Sequence, residues 1–370
     1  MFKHSAVALA TLACAAASAQ AQGIQIYGFA DAGFEYLAPS IDGIDAKFGI
    51  SSGQQSGSRF GLKGVEKLGG GNQLVFQLES GFSLDDGKTT QSMSDGSSRL
   101  FGREARIGLE GAWGSFNLGR FGALGSGAGS VNMLTDTDPF STGFVDAGVQ
   151  SSQAFTVLRV DNALAYKTPV FAGLQAGLMY SFATEGSEVA GSANNNRYRG
   201  AALTYARGAF WSGLSYEQQL PADKASAADD DTVIKFAANY DFGAIKPYLA
   251  YSWAQGAQKI GKLNLAGTGI DSNSFMVGLT APVAGGRVMA SYQFLKVDLA
   301  PESAKRNVVA VGYDYPLSKR TNLYGVYSYS MGAEAWDEDR YSMAGVSAAQ
   351  KSAIETVNRS VTQVGIRHKF

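Results

Sequence analysis

From near its start to its final residue, the chain alternates apolar and polar residues with a period of two, in segments of about ten residues, the length of a tilted membrane-spanning strand. In Gln73 to Phe82, Leu74, Phe76, Leu78 and Phe82 share one face, with Gln73, Gln77 and Glu79 on the other. Leu174 to Phe182 sets Leu174, Ala176, Leu178, Tyr180 and Phe182 against Gln175, Gly177, Met179 and Ser181. Thr232 to Phe242 and Gly286 to Val297 repeat the rhythm, and the last segment sets Thr362, Val364, Ile366, His368 and Phe370 against Gln363, Arg367 and Lys369. Such a pattern excludes a helical core and demands a sheet with one apolar face.

Alternation alone does not separate a soluble sandwich, apolar inside, from a membrane barrel, apolar outside with polar residues lining water. Aromatic placement favours the barrel. Tyr180-Phe182, Tyr240-Phe242, Tyr251-Trp253, Tyr313-Tyr315 and Phe370 stand at strand ends, where interfacial girdles belong. Connections also alternate in length. Short turns fall at Lys67–Asn72, Gly111–Gly114, Thr168–Gly173, Ala206–Ala209, Gly243–Ala244, Pro282–Gly285 and Leu317–Thr321. Long polar segments lie between them at Ser83–Ser98, Ala183–Asn196, Leu220–Asp231, Gly256–Asp271, Lys296–Arg306 and Met331–Arg359. Counting between connections predicts an all-β fold: a sixteen-stranded antiparallel transmembrane β-barrel, in one domain with no internal repeat beyond the hairpins.

The first residues read as an export signal: Met1 and Lys3 form a positive start, Ala6 to Ala17 an apolar stretch, and Ala19-Gln20-Ala21 a small-x-small cleavage site. The expectation is a signal peptide at 1–21 and a barrel at 22–370, exported through the periplasm to the outer membrane. Cleavage removes Lys3, taking the formal net charge from −1 to −2, together with Cys14, the single cysteine, and His4, one of two histidines. Disulfides, cysteine metal sites and cofactors are therefore not expected, and His-based catalysis would rest on His368 alone. A hydrolase is thereby disfavoured. A purely structural barrel would need a plugged lumen. His368 sits beside Ile366 on the apolar face, as an interfacial residue.

One connection is too long for an ordinary loop. Phe121 to Asp161, about 40 residues rich in Gly, Ser and Asp, shows no alternation. In a barrel it is the natural segment to fold inward and narrow the lumen.

Several motifs in order resemble the general porins of Gram-negative bacteria, particularly the β-proteobacterial type. They are Ile26-Tyr27-Gly28-Phe29-Ala30-Asp31-Ala32-Gly33, Ser58-Arg59-Phe60-Gly61-Leu62-Lys63-Gly64 and Phe76-Gln77-Leu78-Glu79-Ser80-Gly81-Phe82. Later in the chain come Leu118-Gly119-Arg120, Tyr315-Pro316-Leu317-Ser318-Lys319-Arg320-Thr321-Asn322-Leu323-Tyr324 and Gly365-Ile366-Arg367-His368-Lys369-Phe370. The resemblance implies a homotrimer with an inward-folded third loop facing an arginine ladder, carried over as Arg59, Arg120 and Arg159. It also implies that the terminal Phe370 is an assembly signal. Where such porins often place a lysine after Tyr-Gly, this chain has Phe29, and Asp31 shares its face.

The alternation itself puts Arg59 and Lys63 in the lumen, opposite Phe60 and Leu62; a lipid-facing arginine at mid-depth would cost about 2–4 kcal/mol. For Arg120, parity with Phe116 and Leu118 points outward, so only a twist at the loop's start would turn it in. Across the lumen the candidates are Asp136, Asp138 and Asp146, partly offsetting the basic wall and leaving a modest anion preference. Charged rings in a narrow wet pore set ion preference. Asp31, Glu79, Glu104 and Arg106 are read as lumen wall, with Glu104, Arg106 and Glu110 forming ion pairs there. Arg103 shares parity with Ala105, Ile107 and Leu109, which places it outward against a protein neighbour. The acid groups Asp85-Asp86 and Asp229-Asp230-Asp231 read as solvated loop residues that could bridge divalent cations to lipopolysaccharide. Gly87-Lys88-Thr89 lacks the register and helix of a phosphate loop.

The expected function is passive diffusion of small hydrophilic solutes and ions, with outer-membrane lipid and lipopolysaccharide as neighbours, and neither nucleic acid binding nor catalysis. The alternative is a substrate-specific channel for small organic acids or sugars. That reading needs an aromatic track, for which Tyr27, Phe29, Phe121 and Tyr205 look scattered.

Overall fold

The computed structural model describes residues 23–39, 45–140, 143–144, 146–154, 156–188, 196–220, 230–257, 259–260, 263–264, 270–299, 302–332 and 358–370. The expected signal peptide lies outside the described residues. Sixteen antiparallel strands close into a barrel. They are β1 (Gln25–Pro39), β2 in two pieces (Lys47–Ser52 and Arg59–Gly69), β3 (Asn72–Phe82), β4 (Glu104–Gly111), β5 (Gly114–Gly122) and β6 (Arg159–Lys167). Then follow β7 (Leu174–Ser181), β8 (Tyr198–Arg207), β9 (Phe210–Gln219), β10 (Asp231–Tyr240) and β11 (Lys246–Ala257). The set ends with β12 (Ile270–Val283), β13 (Gly286–Leu299), β14 (Glu302–Pro316), β15 (Thr321–Met331) and β16 (Arg359–Lys369).

Closure is made by β1 against β16, in register from Phe29↔Lys369 to Pro39↔Arg359. Gly28 and Phe370 extend it with two reciprocal N–H···O=C bonds of 3.1 Å. Only glycine fits there, because a Cβ on Gly28 would lie 2.4 Å from both the Phe370 ring and the Arg59 carbonyl. A closed barrel leaves no strand edge unpaired, the condition for crossing hydrocarbon. The outer wall is apolar, with Phe34, Ile50, Leu178, Leu214, Val311 and Val364 exposed. The strand-end aromatics touch: Tyr180 with Phe182, Tyr240 with Phe242 and Tyr313 with Tyr315, ring centroids 5.0, 4.5 and 6.4 Å apart. His368 is on this outer face, its Nδ1 2.9 Å from Thr321 Oγ1.

Three local readings differ from the sequence expectation. Lys296–Arg306 is strand except for residues 300–301, which lie outside the described residues; its charges alternate along tall strands, as Lys296 and Asp298, 2.8 Å apart on β13, illustrate. Asp231 is not in a solvated acid run but is the buried first residue of β10. Finally, β2 is interrupted. Residues 53–58 leave the strand, so β1 pairs with Lys47–Ser52 through one half and with Arg59–Lys63 through the other.

The long connection runs over residues 123–158, and among its described residues the helical turn is the 3-10 segment Val149–Ser151. It lies against the inside wall. Leu124, Val131, Met133 and Leu134 pack on Ala163, Ala165, Met179 and Tyr198 of β6 to β8. Phe140, Phe144 and Ala147 reach Met289, Ala310, Tyr324 and Val326 of β13 to β15, and Val149 returns to Ala237, Ala250 and Met276 of β10 to β12. The loop thus buries an apolar layer along one side of the barrel. The inner wall of β16 and β1 to β4 is left facing the lumen.

Candidate constriction site

The loop is pinned by polar groups of the wall it covers. Glu104 Oε1 accepts from the Ser130 N–H at 2.5 Å, and Glu217 Oε1 from the Gly125 N–H at 3.1 Å. Lys235 donates to the Gly125 carbonyl, Asn239 to the Asp136 carbonyl and Gln293 to the Ala147 carbonyl. Buried backbone groups of an irregular segment need such partners. They hold the loop at a fixed distance from the opposite wall.

The three loop acids do not stand opposite the basic wall as a row. Asp146 is 2 % exposed and points away, its Oδ1 2.9 Å from Arg306 Nη2 and 2.7 Å from Arg359 Nη2, its Oδ2 2.8 Å from Arg359 Nε. Burial alone would raise its pKa, but the hydrogen bonds from Arg359 and the charges of Arg306 and Arg359 outweigh it and hold the carboxyl at about 2. Asp136 pairs with Lys246 at 2.6 Å, near the short turn before β11. Asp138 is buried and accepts the Phe140 N–H at 2.6 Å, capping a local turn. The reason is common to all three: a carboxylate in a tightly packed loop is more stable on a donor than across open water.

The facing wall carries the cations. Arg59 Nη1 lies 3.6 Å from Glu79 Oε1, and Arg59 Nε donates to the Gly57 carbonyl at 2.8 Å. Arg103, expected outward, is buried inside instead, with its Nε 2.7 Å from the same Glu79 oxygen. Its parity argument fails because β4 begins only at Glu104, so Arg103 belongs to the loop before the strand. Tyr27 completes the Glu79 environment, donating to Oε2 at 2.9 Å. Arg159 donates to the Arg103 carbonyl at 3.0 Å and lies in electrostatic range of Arg103, Arg120, Glu79 and Arg59. Lys63 stands exposed on β2, its Nζ 5.2 Å from the Tyr27 ring centroid.

Arg120 is turned by a bulge. Register shifts between Gly119 and Phe121, so that Phe121 swings under the loop and Arg120 reaches the Gly102 carbonyl and the Asp161 carboxylate, which it shares with Arg99. Its charge is therefore matched locally. Glu104 and Arg106 are wall neighbours at 4.0 Å, with Arg106 also donating to Asn117 and Gln77. Asp31 points inward but is not lumen surface. It is sealed at 0 % exposure by the 53–58 excursion, accepting from the N–H groups of Gln55 (3.0 Å) and Ser56 (2.6 Å) and from the Tyr324 hydroxyl (2.6 Å). The signal for that excursion was Gly53-Gln54-Gln55-Ser56-Gly57, two glycines around a polar triplet that breaks the alternation. The sequence ladder also omitted Arg367 and Lys369, although their parity on the last segment already placed them inside. Among the described residues no group of three or more His, Cys, Asp or Glu side chains is placed to hold a metal.

Comparison with known proteins agrees with this geometry. A family model described as Gram-negative porin matches residues 6–334. An outer membrane porin protein of Bordetella pertussis is 34 % identical and outer membrane porin protein 32 of Delftia acidovorans 31 % identical, each alignment covering all of both chains. Among solved structures, the anion-selective porin from Comamonas acidovorans superposes with a TM-score of 0.72 at 26 % identity, covering 94 % of this chain and 100 % of that one. OmpF of Salmonella typhi, at 17 % identity and a TM-score of 0.65 over 94 % of this chain and 97 % of that one, shares the fold. A sixteen-stranded barrel with a lipid-facing apolar wall, a polar lumen and an inward loop, matched along its length by such relatives, belongs to the Gram-negative porin family and forms an outer-membrane channel for small solutes.

Proposed function

We propose that this channel passes small hydrophilic solutes and ions by passive diffusion with a preference for anions, and that it assembles as a homotrimer in contact with outer-membrane lipid and lipopolysaccharide. One observation carries the anion preference: the wall left open by the loop holds Arg59, Lys63, Arg106, Arg367 and Lys369, with Arg103 buried behind them, against the two carboxylates Glu79 and Glu104, while Asp146 and Asp136 are spent on cations elsewhere. Fixed positive charge at a narrow point lowers the barrier for anions and raises it for cations. The acid offset expected from the loop is weaker for the same reason. The description of the Comamonas acidovorans porin as anion-selective supports the same sign.

Arg59 and Arg159, with Lys63 below them, are the constriction cations in this reading, and Glu79 is the carboxylate that tempers them. Arg120 contributes less, its charge being matched by Asp161. Phe370 is the assembly signal, at the strand that closes the barrel. The test is the reversal potential of single channels in a potassium chloride gradient. A potential of the anion sign supports the reading; zero or the cation sign overturns it.

Trimer assembly no longer rests on Arg103. Support comes from the outer wall. Of the seven exposed tyrosines among the described residues, Tyr216, Tyr240, Tyr251, Tyr292, Tyr315 and Tyr327 lie on β9 to β15, and only Tyr36 lies on the sector from β16 to β5. Tyrosine belongs at a lipid–water interface. A sector with a single exposed tyrosine, carrying instead Ile26, Phe48, Ile50, Phe60, Val364 and Ile366, is suited to a protein neighbour.

A further inference from the structure

Phe29 is out of keeping with its wall. It stands on the inner face of β1 near the short-turn mouth, two residues before Asp31, partly exposed among polar and charged neighbours. The loop does not cover it; of the four aromatics considered for a track, Phe121 is buried under the loop, and Tyr205 packs against Phe210 with centroids 6.1 Å apart. Three cations converge on the Phe29 ring from the strands on either side. Arg59 Cζ lies 5.1 Å from the centroid, Arg367 Cζ 5.8 Å and Lys369 Nζ 5.9 Å. The neighbouring Tyr27–Lys63 pair continues the same arrangement toward the mouth.

These cations are only partly matched by counter-charge: Arg59 has Glu79 at 3.6 Å, and Arg367 stands opposite the buried Asp31 in register, in electrostatic range of its carboxylate. Arg367 donates to Asn322 Oδ1 at 3.1 Å and Ser56 Oγ at 2.9 Å, both neutral. Neither Arg367, Lys369 nor Lys63 forms an ion pair among the described residues, and the carboxylate nearest Arg59, Glu79, is closer to Arg103. Like charges around one ring repel one another, and the ring's negative face offsets only part of that repulsion. An anion would remove it. A bare inorganic anion would leave the Phe29 surface exposed to water, whereas an anion carrying its own ring would cover that surface as well.

We propose that Phe29 with Arg59, Arg367 and Lys369, extended by Tyr27 and Lys63, forms a binding subsite for aromatic carboxylates on their way through the pore. The cations take the carboxylate and the Phe29 ring takes the aromatic body. The proposal rests on the anion preference above and adds a chemical class to it. It makes Phe29 a specificity-determining residue.

The experiment uses the full-length protein in planar bilayers, with chloride current titrated by benzoate, acetate and cyclohexanecarboxylate, and the potassium chloride reversal potential recorded in parallel. In the wild type, benzoate should half-block the current at a concentration about threefold or more below acetate, and below cyclohexanecarboxylate as well. Phe29→Leu should bring benzoate level with acetate. Arg367→Gln with Lys369→Gln should weaken all three blockers. Equal block by benzoate and acetate in an anion-preferring wild type would overturn the subsite, and so would an unchanged benzoate-to-acetate ratio in Phe29→Leu. A cation-sign reversal potential in the wild type would instead overturn the anion reading beneath it. The wild-type comparison stands whether or not the variants fold.

Discussion

The carboxylate of Asp146 and the guanidinium of Arg359 meet through two hydrogen bonds, of 2.8 Å and 2.7 Å, tying the tip of the inward loop to the first residue of the last strand. Arg306 of β14 holds the same carboxylate from another side at 2.9 Å. This bidentate, buried arrangement anchors the loop to the wall it reaches with charge-assisted hydrogen bonds.

Acid should release that attachment. The Asp146 carboxyl titrates at about 2 when docked, against an ordinary value of 3.8, so the docked state gains stability above the ordinary value. That gain, about 2 kcal/mol for such a shift, is complete above roughly pH 4 and is lost as pH falls toward 2. Open-channel current should therefore become noisy between pH 4 and 2. Asp146→Asn should show that noise already at neutral pH, because Arg306 is left buried without its counter-charge, a loss of about 3–5 kcal/mol. A variant as quiet as the wild type at pH 7 would show that apolar packing alone holds the loop.

The charges at the constriction should be separable by sign. Neutralising Arg59 and Arg159 together, as Arg59→Gln and Arg159→Gln, should move the reversal potential toward cations. The shift should shrink with added salt, since the Debye length falls from about 30 Å at 0.01 M to about 3 Å at 1 M. Glu79→Gln should do the opposite and strengthen the anion preference, freeing Arg59 and Arg103 from their shared carboxylate. If the double arginine variant keeps the wild-type potential in dilute salt, those residues are wall and not filter.

What the sequence disclosed follows from what repeats in it. Barrel, strand count and inward loop were legible because a period of two over some ten residues, sixteen times, admits few other solutions. Lys63 was legible for the same reason, sitting mid-strand where parity is secure, and Arg59, the first residue after the 53–58 excursion, keeps the parity of Lys63. Arg103, Asp31 and the loop acids were not. Arg103 lies one residue before its strand, so parity carried no information about it. Asp31 was placed on the correct face, but the excursion that buries it comes from another strand. Asp146 is defined by Arg306 and Arg359, far along the chain, and nothing local marks such a partnership.

Asp31 should matter for stability more than for conduction. Its carboxylate satisfies two backbone N–H groups of the 53–58 excursion, and the same excursion receives the loop tip, the Phe144 N–H donating to the Gln54 carbonyl at 2.5 Å. Asp31→Ala would leave those donors unpaired beside the Tyr324 hydroxyl, at a cost of about 3 kcal/mol. Tyr324→Phe removes one donor and leaves the carboxylate bound to backbone, so about 1 kcal/mol is expected. Heat-modifiable gel migration of the detergent-folded barrel would rank them. Equal thermal midpoints for Asp31→Ala and wild type would show that the excursion folds without its acid.

Assembly can be read directly from the outer wall, because Cys14 is the single cysteine and falls within the expected signal. A spin label introduced through Ile366→Cys would sit in the tyrosine-poor sector, and one introduced through Leu249→Cys on the tyrosine-bearing wall; both native side chains are exposed in the single chain, at 46 % and 45 %. In a trimer packed through the β16 to β5 sector, the label at 366 should be immobilised and shielded from oxygen dissolved in lipid. It should also show dipolar broadening from its copies, while the label at 249 stays mobile and oxygen-accessible. Diluting labelled with unlabelled protomers before assembly should remove the broadening but not the shielding, which separates contact between copies from a crowded rotamer. Equal oxygen access at the two sites in lipid bilayers would mean that this sector faces lipid, and the assembly proposed here would have to use another face.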